Sequence, residues 1–272
     1  MPHILKQVHI ELTNKCNLKC IMCYRQDMLT ETGEMDYILF KKIAYQISLI
    51  NTIDKVFLHW RGEPTCCGYL TKAVEYLCSL NIKVFLFTNG VNLNPAIVTE
   101  LLNSGIHAIY FSLEAINPNR YIKIRGLDKF DIIKNNIIKT VSLRNKINRN
   151  TRICISTILL NDNYAFIPDF HNYWNTIVDN IEYHIDTRCT KFSGLRTKQC
   201  SWPYYGLFIS WDGIVCACCM DVNKEYPIGN INKSSLSEIF NSIEVNQLRI
   251  SLENKKAIGK CSSCSMFQIK DS

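Results

Sequence analysis

From the N-terminus to about residue 190, short runs rich in β-branched and aromatic residues alternate with segments of helical periodicity. This alternation restricts the fold more than any other feature of the chain. Strands separated by helices imply repeated βαβ units, hence a parallel sheet with helices outside it. The strand-like runs are Val8-His9-Ile10-Glu11-Leu12, Val56-Phe57-Leu58-His59-Trp60, Val84-Phe85-Leu86-Phe87, Ile109-Tyr110-Phe111-Ser112, Ile153-Cys154-Ile155-Ser156-Thr157 and Ile181-Glu182-Tyr183-His184. Helices are expected from an Asp36 cap to about Ile50, near Leu70–Leu80, from Asn94 to Ser104 and near Phe130–Asn145. Six such units are too few for an eightfold barrel, so an α/β fold of the open, partial (β/α)6 barrel type is expected. In parallel sheets, ligands gather at the carboxyl ends of the strands.

Beyond about residue 190 the helical periodicity fades. Phe208-Ile209-Ser210 and Ile214-Val215-Cys216 flank a Trp211-Asp212-Gly213 turn and read as a hairpin. A short helix over Ser235–Ser242 and another to about Leu252 should follow. This reading divides the chain into a barrel domain over 1–190 and a small cysteine-rich domain over 191–272.

The formal charge is +7, with basic residues scattered rather than gathered in a stripe interleaved with aromatics. A solvated surface is therefore expected rather than a nucleic-acid footprint. No apolar run approaches the ~20 residues needed to cross a bilayer, and the first residues lack a signal-peptide pattern. A cytoplasmic protein with no membrane or nucleic-acid partner is expected. In a reducing compartment its 14 cysteines point to metal or redox chemistry instead of disulfides.

Cys16-Asn-Leu-Lys-Cys20-Ile-Met-Cys23 lies just past the first strand. Three thiolates within eight residues can surround one face of a soft metal centre. With 14 cysteines in 272 residues, this spacing would arise by accident only about 0.04 times in such a chain. Structural zinc wants four protein ligands, so three thiolates leave one coordination position open unless a distant residue completes the set.

The C-x3-C-x2-C spacing after a first strand resembles the radical S-adenosylmethionine (SAM) superfamily. The resemblance implies a [4Fe–4S] cluster on Cys16, Cys20 and Cys23, whose open iron binds SAM, cleaves it reductively and releases a 5′-deoxyadenosyl radical. It also implies that Met22 touches adenine. Trp60-Arg61-Gly62-Glu63-Pro64 resembles the Gly-Gly-Glu-Pro segment that hydrogen-bonds the SAM amino group, with Arg61 in place of the first glycine and Gly62 and Glu63 retained. Ser112 and Glu114 fall where the family sets a serine and an acid beside the ribose or methionine carboxylate. Arg125 suits a carboxylate partner, and Thr157 and Asn161 are further candidates. The resemblance spans roughly residues 7–190.

The C-terminal part holds Cys200, Cys216, Cys218, Cys219, Cys261 and Cys264. Cys261-Ser-Ser-Cys264 suits adjacent ligands on one metal, and alone it also fits zinc or a redox pair. Together with Cys200 and Gly213-x4-Cys218 it resembles the shortened SPASM, or twitch, extension of the same superfamily. That implies one auxiliary [4Fe–4S] cluster on Cys200, Cys218, Cys261 and Cys264, with no open iron and a role in electron transfer. Cys216 or Cys219 could replace Cys218, and a zinc ribbon is the alternative occupant. Cys78 and Cys154 lie in apolar patterns and are expected in the core, while Cys189 has no assigned place. Cys66 and Cys67 are candidate hydrogen-atom donors, or members of a packed loop.

One SAM-binding cluster beside a fully liganded one implies two-electron oxidation, or epimerisation, of a sugar, cyclitol or nucleotide-linked metabolite. The resemblance is to the aminocyclitol (2-deoxy-scyllo-inosamine) dehydrogenase type. The alternative is maturation of a precursor peptide. A first strand beginning near residue 7 leaves little room for a leader-binding domain and favours the small molecule. A non-enzymatic zinc-binding protein is the reading from another class. The partners implied are the substrate and an electron donor such as flavodoxin or ferredoxin. Trp202, Tyr204, Tyr205, His184 and Arg188 could face the substrate, and spacing does not choose among them.

Overall fold

The computed structural model describes residues 3–160, 164–186, 200–254, 256, 258, 261 and 264. Six strands run parallel, joined in sequence by crossovers: β1 (Gln7–Ile10), β2 (Lys55–Phe57), β3 (Val84–Thr88), β4 (Ala108–Ser112), β5 (Arg152–Leu159) and β6 (Asn180–Ile185). The crossovers carry α1 (Tyr37–Ser48), α2 (Leu70–Ser79), α3 (Pro95–Asn103), α4 (Pro118–Arg125), α5 (Phe130–Ile147) and α6 (Ile167–Trp174). Two of the expected helix starts, at Asp36 and Asn94, are real caps, because each side chain accepts from the first turn, whereas α2 and α5 begin without a side-chain cap. Asp36 Oδ1 accepts from Ile38 N at 2.8 Å, and Asn94 Oδ1 accepts from Ile97 N at 3.0 Å.

The second part of the chain enlarges this sheet instead of standing apart from it. After α7 (Trp202–Tyr205), β7 (Gly206–Ile209) pairs in parallel with β1, Val8 opposite Leu207 and Ile10 opposite Ile209. The hairpin partner β8 (Ile214–Cys216) and then β9 (Pro227–Asn230) continue antiparallel, giving the order β6-β5-β4-β3-β2-β1-β7-β8-β9. The expected turn is present, with Gly213 in the left-handed region at φ 85° and its N–H bonded to Ser210 O, as a tight turn of this kind requires. α8 (Leu236–Phe240) opens with a Ser235–Glu238 capping box, and α9 (Ile243–Glu253) follows. The expected boundary at 190 lies outside the described residues.

Alternation along the strands gives the sheet two unlike faces. Val8, Ile10, Val56, Leu86, Ile109, Phe111, Ile153 and Ile155 pack into the large core shared with the helices. The other face carries Phe57, Phe85, Phe87, Tyr110 and Cys154. His9 is sandwiched there between Phe57 and Phe208, with ring centroids 4.5 and 4.2 Å away. This aromatic layer floors the concave side. With a β6 edge and a β9 edge, the described sheet is open, as a partial barrel requires.

Candidate active site

A cavity of about 380 Å³ opens at the carboxyl ends of the strands, above the aromatic layer. Cys16, Cys20, Met22 and Cys23 form one wall of it. The loop that carries them is tightly built. Asn14 Nδ2 donates to Glu31 O at 2.8 Å, and Asn14 Oδ1 accepts from Gly33 N at 2.8 Å. Glu63 N donates to Lys15 O at 2.8 Å. Gly62 sits so close beneath the loop that an added Cβ would stand 2.0 Å from Thr13 O and 2.7 Å from Asn14 Cα, both backbone atoms. Gly62→Ala is accordingly expected to lift the loop, at a cost of about 1–3 kcal/mol. Iron content and thermal unfolding measure it, and an unchanged value of both would contradict this role.

The three thiols share one apolar patch with Leu18, Met22 and Ile124. Burial pushes the Cys16 thiol up to about 11, and it raises that of Cys20 against the pull of Arg125. Arg125 Nη1 lies 3.5 Å from Cys20 Sγ. A soft metal centre displaces such protons, and a buried guanidinium beside the set offsets thiolate charge. The donor set therefore fits an iron–sulfur cluster.

Glu114 and Arg125 line the cavity but do not offer it free charges. They hold each other in a bidentate pair, Nε to Oε2 and Nη2 to Oε1 both at 2.7 Å. Burial raises the Glu114 carboxyl, and Arg125 works against that rise. Arg125 has the bidentate carboxylate partner that suits it, supplied by Glu114, and both side chains border the cavity beside which Glu114 was expected to meet the ribose or methionine carboxylate. At this depth each charge needs a partner, and each is the other's. Glu63 is also well held: Oε1 accepts from Thr65 N and Oγ1 and Thr88 Oγ1, and Oε2 accepts from Asn89 N, at 2.6–3.1 Å, which leaves Oε2 a further acceptor site toward the cavity it lines. It clamps the turn after β2 to the turn after β3. Ser112 lines the cavity as expected.

Thr157 does not line the cavity. It is buried on the helix-facing side of β5, while its neighbours Ser156 and Ile158 line the cavity. Neither Cys66 nor Cys67 lines it either: Cys66 closes a short turn, and Cys67 packs into the outer core. The role of hydrogen-atom donor therefore loses its geometric basis at both. Cys219 is the thiol that faces the cavity from the C-terminal part, with Met220 and Val222. His184 lines the cavity, whereas Trp202 packs on His9 and Phe208, and Tyr204 donates to Arg249 O at 3.2 Å. Asn161, Arg188 and Cys189 lie outside the described residues.

Sequence reasoning missed His59, Ser156 and Asp186 on the cavity wall. Burial first, then His184, pushes the His59 imidazole down to about 4. Its Nδ1 is buried without a partner among the described residues. Beside it, His184 Nε2 is 3.6 Å from Glu182 Oε2, and Tyr110 donates to Glu182 Oε1 at 3.0 Å.

Arg61, the departure from the glycine pattern, is buried against Glu11. Its Nε lies 2.8 Å from Glu11 Oε1, and Nη2 contacts Glu11 Oε2 and, at 2.6 Å, Ser210 Oγ. Nη1 donates to Val222 O at 2.7 Å, while Trp60 Nε1 donates to Cys219 O at 2.8 Å. The end of β2 thus latches the cysteine-rich segment to the cavity. The signal was a charged residue in the otherwise apolar β1 run, matched by an arginine where glycine was expected.

Cys200, Cys218, Cys261 and Cys264 act on one another through charge, although no three His, Cys, Asp or Glu side chains among the described residues are already set as a metal site. Burial pushes Cys200 up to about 11 and Cys261 to about 12, with the charges of Cys218 and Cys264 adding in both cases. Cys216 is fully buried in β8 opposite Phe208, and its strongest charged neighbours are Asp221, Arg61 and Lys224. That orientation removes Cys216 as a substitute for Cys218. Cys218 and Cys219 remain adjacent, and Met220 N donates to Cys218 Sγ at 3.3 Å. Cys154 is core, as expected, and Cys78 is half-buried on α2.

A family model described as the radical SAM superfamily matches residues 10–148, and one described as an iron–sulfur cluster-binding (SPASM) domain matches residues 200–265. The chain is 23% identical to a tungsten-containing aldehyde ferredoxin oxidoreductase cofactor-modifying protein of Pyrococcus furiosus, over 96% of this chain and 88% of that protein. It is 22% identical to the S-adenosyl-L-methionine-dependent 2-deoxy-scyllo-inosamine dehydrogenase of Niallia circulans, over 99% of this chain and 96% of the relative. The crystal structure of BtrN in complex with AdoMet and 2-DOIA superposes with a TM-score of 0.63 at 18% identity, over 99% of this chain and 94% of that one.

Proposed function

The chain belongs to the radical SAM superfamily, and from that premise we propose that it oxidises a small polyhydroxylated metabolite, a sugar, cyclitol or nucleotide-linked molecule, by two electrons. Cys16, Cys20 and Cys23 hold one [4Fe–4S] cluster in this reading, and Cys200, Cys218, Cys261 and Cys264 hold the auxiliary one. When bound, these groups supply the electron that cleaves SAM and the acceptor for the electron that the substrate gives up. The observation that carries the reading is the shared cavity, walled by the first cysteine loop on one side and by Cys219, Met220 and Val222 on the other. A substrate placed there meets the first cysteine loop and Cys219, the neighbour of Cys218.

The chain's own residues fit such a reaction. With SAM and both clusters bound, an alcohol substrate would give up a carbinol hydrogen atom, a hydroxyl proton and one electron to become a carbonyl. SAM would supply the hydrogen-atom acceptor, His59 would take the proton, and the Cys218–Cys219 segment lies on the side of the electron acceptor. Ser112, Ser156 and Asp186 give the wall hydroxyl and carboxylate groups able to bind a polyol.

The test is a panel of cyclitols, sugars and nucleotides deuterated at carbinol carbons, run anaerobically with SAM and reductant beside a panel of peptides. Deuterium appearing in 5′-deoxyadenosine with a carbonyl product is expected from at least one alcohol. Deuterium transfer from peptides alone would move the function to peptide maturation.

A further inference from the structure

Two of the three arginines on the cavity wall are committed to acids, Arg61 to Glu11 and Arg125 to Glu114. The third, Arg25, is half-buried and makes no ion pair among the described residues. Its Nε donates to the backbone oxygen of buried Asn14 at 2.8 Å. That bond anchors the guanidinium and leaves Nη1 and Nη2 without a partner among the described residues. A fork held in this way matches two oxygens of a phosphate or carboxylate.

Arg25 belongs to the short turn Tyr24–Asp27 that follows the first cysteine loop. This turn is tied to the cysteine-rich segment: Asn223 Nδ2 donates to Asp27 O at 3.1 Å, and Leu29 N donates to Asn223 Oδ1 at 2.8 Å. Asn223 directly follows Val222, which lines the cavity with Cys219 and Met220. Arg25 therefore stands where the two cysteine-bearing walls meet. The family resemblance sets SAM against Met22 and the end of β4, which leaves the Arg25 side to the substrate. Among the charges on the wall, Glu114 is neutralised by Arg125, while Glu63 and Asp186 are acids. An anionic group entering the cavity is thus drawn to Arg25, the arginine not already matched by an acid.

The geometry points to Arg25 as the residue that sets substrate class: the polyol taken by this cavity carries a phosphate ester, held by the Arg25 fork. The inference deepens the proposed oxidation and rests on it for the role of the cavity. Binding to the full-length, reconstituted, SAM-loaded enzyme is measured by calorimetry for glucose, glucose 6-phosphate and UDP-glucose, and for myo-inositol and its 1-phosphate. At least one phosphate ester should bind wild type about tenfold or more tightly than its neutral counterpart. Preference for the nucleotide-linked sugar or for the simple monoester supports the site equally and identifies which of the two carries the phosphate.

Arg25→Gln should erase the advantage of the phosphate ester, and Arg25→Lys, which keeps the charge but not the fork, should retain part of it. Affinity for SAM and for the neutral polyols should hold in both variants. Wild type that binds neutral and phosphorylated polyols alike, or binds no phosphate ester, overturns the site whatever the variants do. A loss in Arg25→Gln that falls on SAM gives the residue to the SAM carboxylate instead, and an equal loss for glucose gives it to the loop. Deuterium transfer from carbinol carbons keeps the two readings apart. A neutral cyclitol that is oxidised while phosphate esters are ignored sinks the anion site alone. An Arg25-dependent phosphate ester that transfers no deuterium sinks the oxidation alone.

Discussion

Replacing Cys16, Cys20 and Cys23 together by alanine is expected to remove about four of about eight irons and to abolish 5′-deoxyadenosine formation. The two cysteine groups lie on separate segments, one after β1 and one beyond β6, joined through the Trp60 and Arg61 latch. Losing the first should therefore leave the second loaded. The fold should survive, because the loop stands on Asn14, Gly33 and Gly62 rather than on the thiols. Iron analysis, Mössbauer spectra and a SAM-cleavage assay on the anaerobic protein decide it. Zinc in the wild type, with no nucleoside formed, would refute the iron reading at both sites. About four irons in an active wild type would remove the auxiliary cluster and, with it, an internal electron acceptor.

Much of this site was legible because it depends on local order. The spacing of Cys16, Cys20 and Cys23 sets them on one short loop, and Asp36 and Asn94 cap helices from within their own turns. What could not be read depends on pairing across the chain. β7 lies beside β1 although all the strands from β2 to β6 come between them in the sequence, so Ile10 and Ile209 become neighbours only after folding. The Glu11–Arg61 pair has the same origin. Thr157 fails for a different reason: the β5 run is apolar enough on both faces that composition does not say which face is concave, and a shift of one residue exchanges them. Ser156 thus took the place expected of Thr157. The Glu114–Arg125 pairing was hidden because sequence gives charge without depth, and depth is what makes the two seek each other.

His59→Asn is expected to separate SAM cleavage from substrate oxidation. The imidazole lines the cavity on the aromatic floor, 4.4 Å from the Phe87 ring, and burial holds it down to about 4. It is therefore neutral, and able to accept a proton, at every pH above about 5. A hydroxyl beside a carbon radical is far more acidic than an ordinary alcohol, so a weak base in a water-poor site suffices. Without it, carbonyl product should fall about 10²–10⁴-fold, while abortive 5′-deoxyadenosine continues, since radical formation does not use this side chain. The wild-type kcat/KM attributable to His59 should stay level from about pH 6 to 9 and fall only as the pH drops through the lowered value, where the imidazole takes up its proton. His184→Asn is the control: His184 also lines the cavity but is engaged with Glu182 and half-exposed, so a few-fold effect is expected. If product and 5′-deoxyadenosine fall together in His59→Asn, the residue shapes the cavity and does not carry the proton. If His184→Asn shows the larger uncoupling, the Glu182–His184 pair is the base.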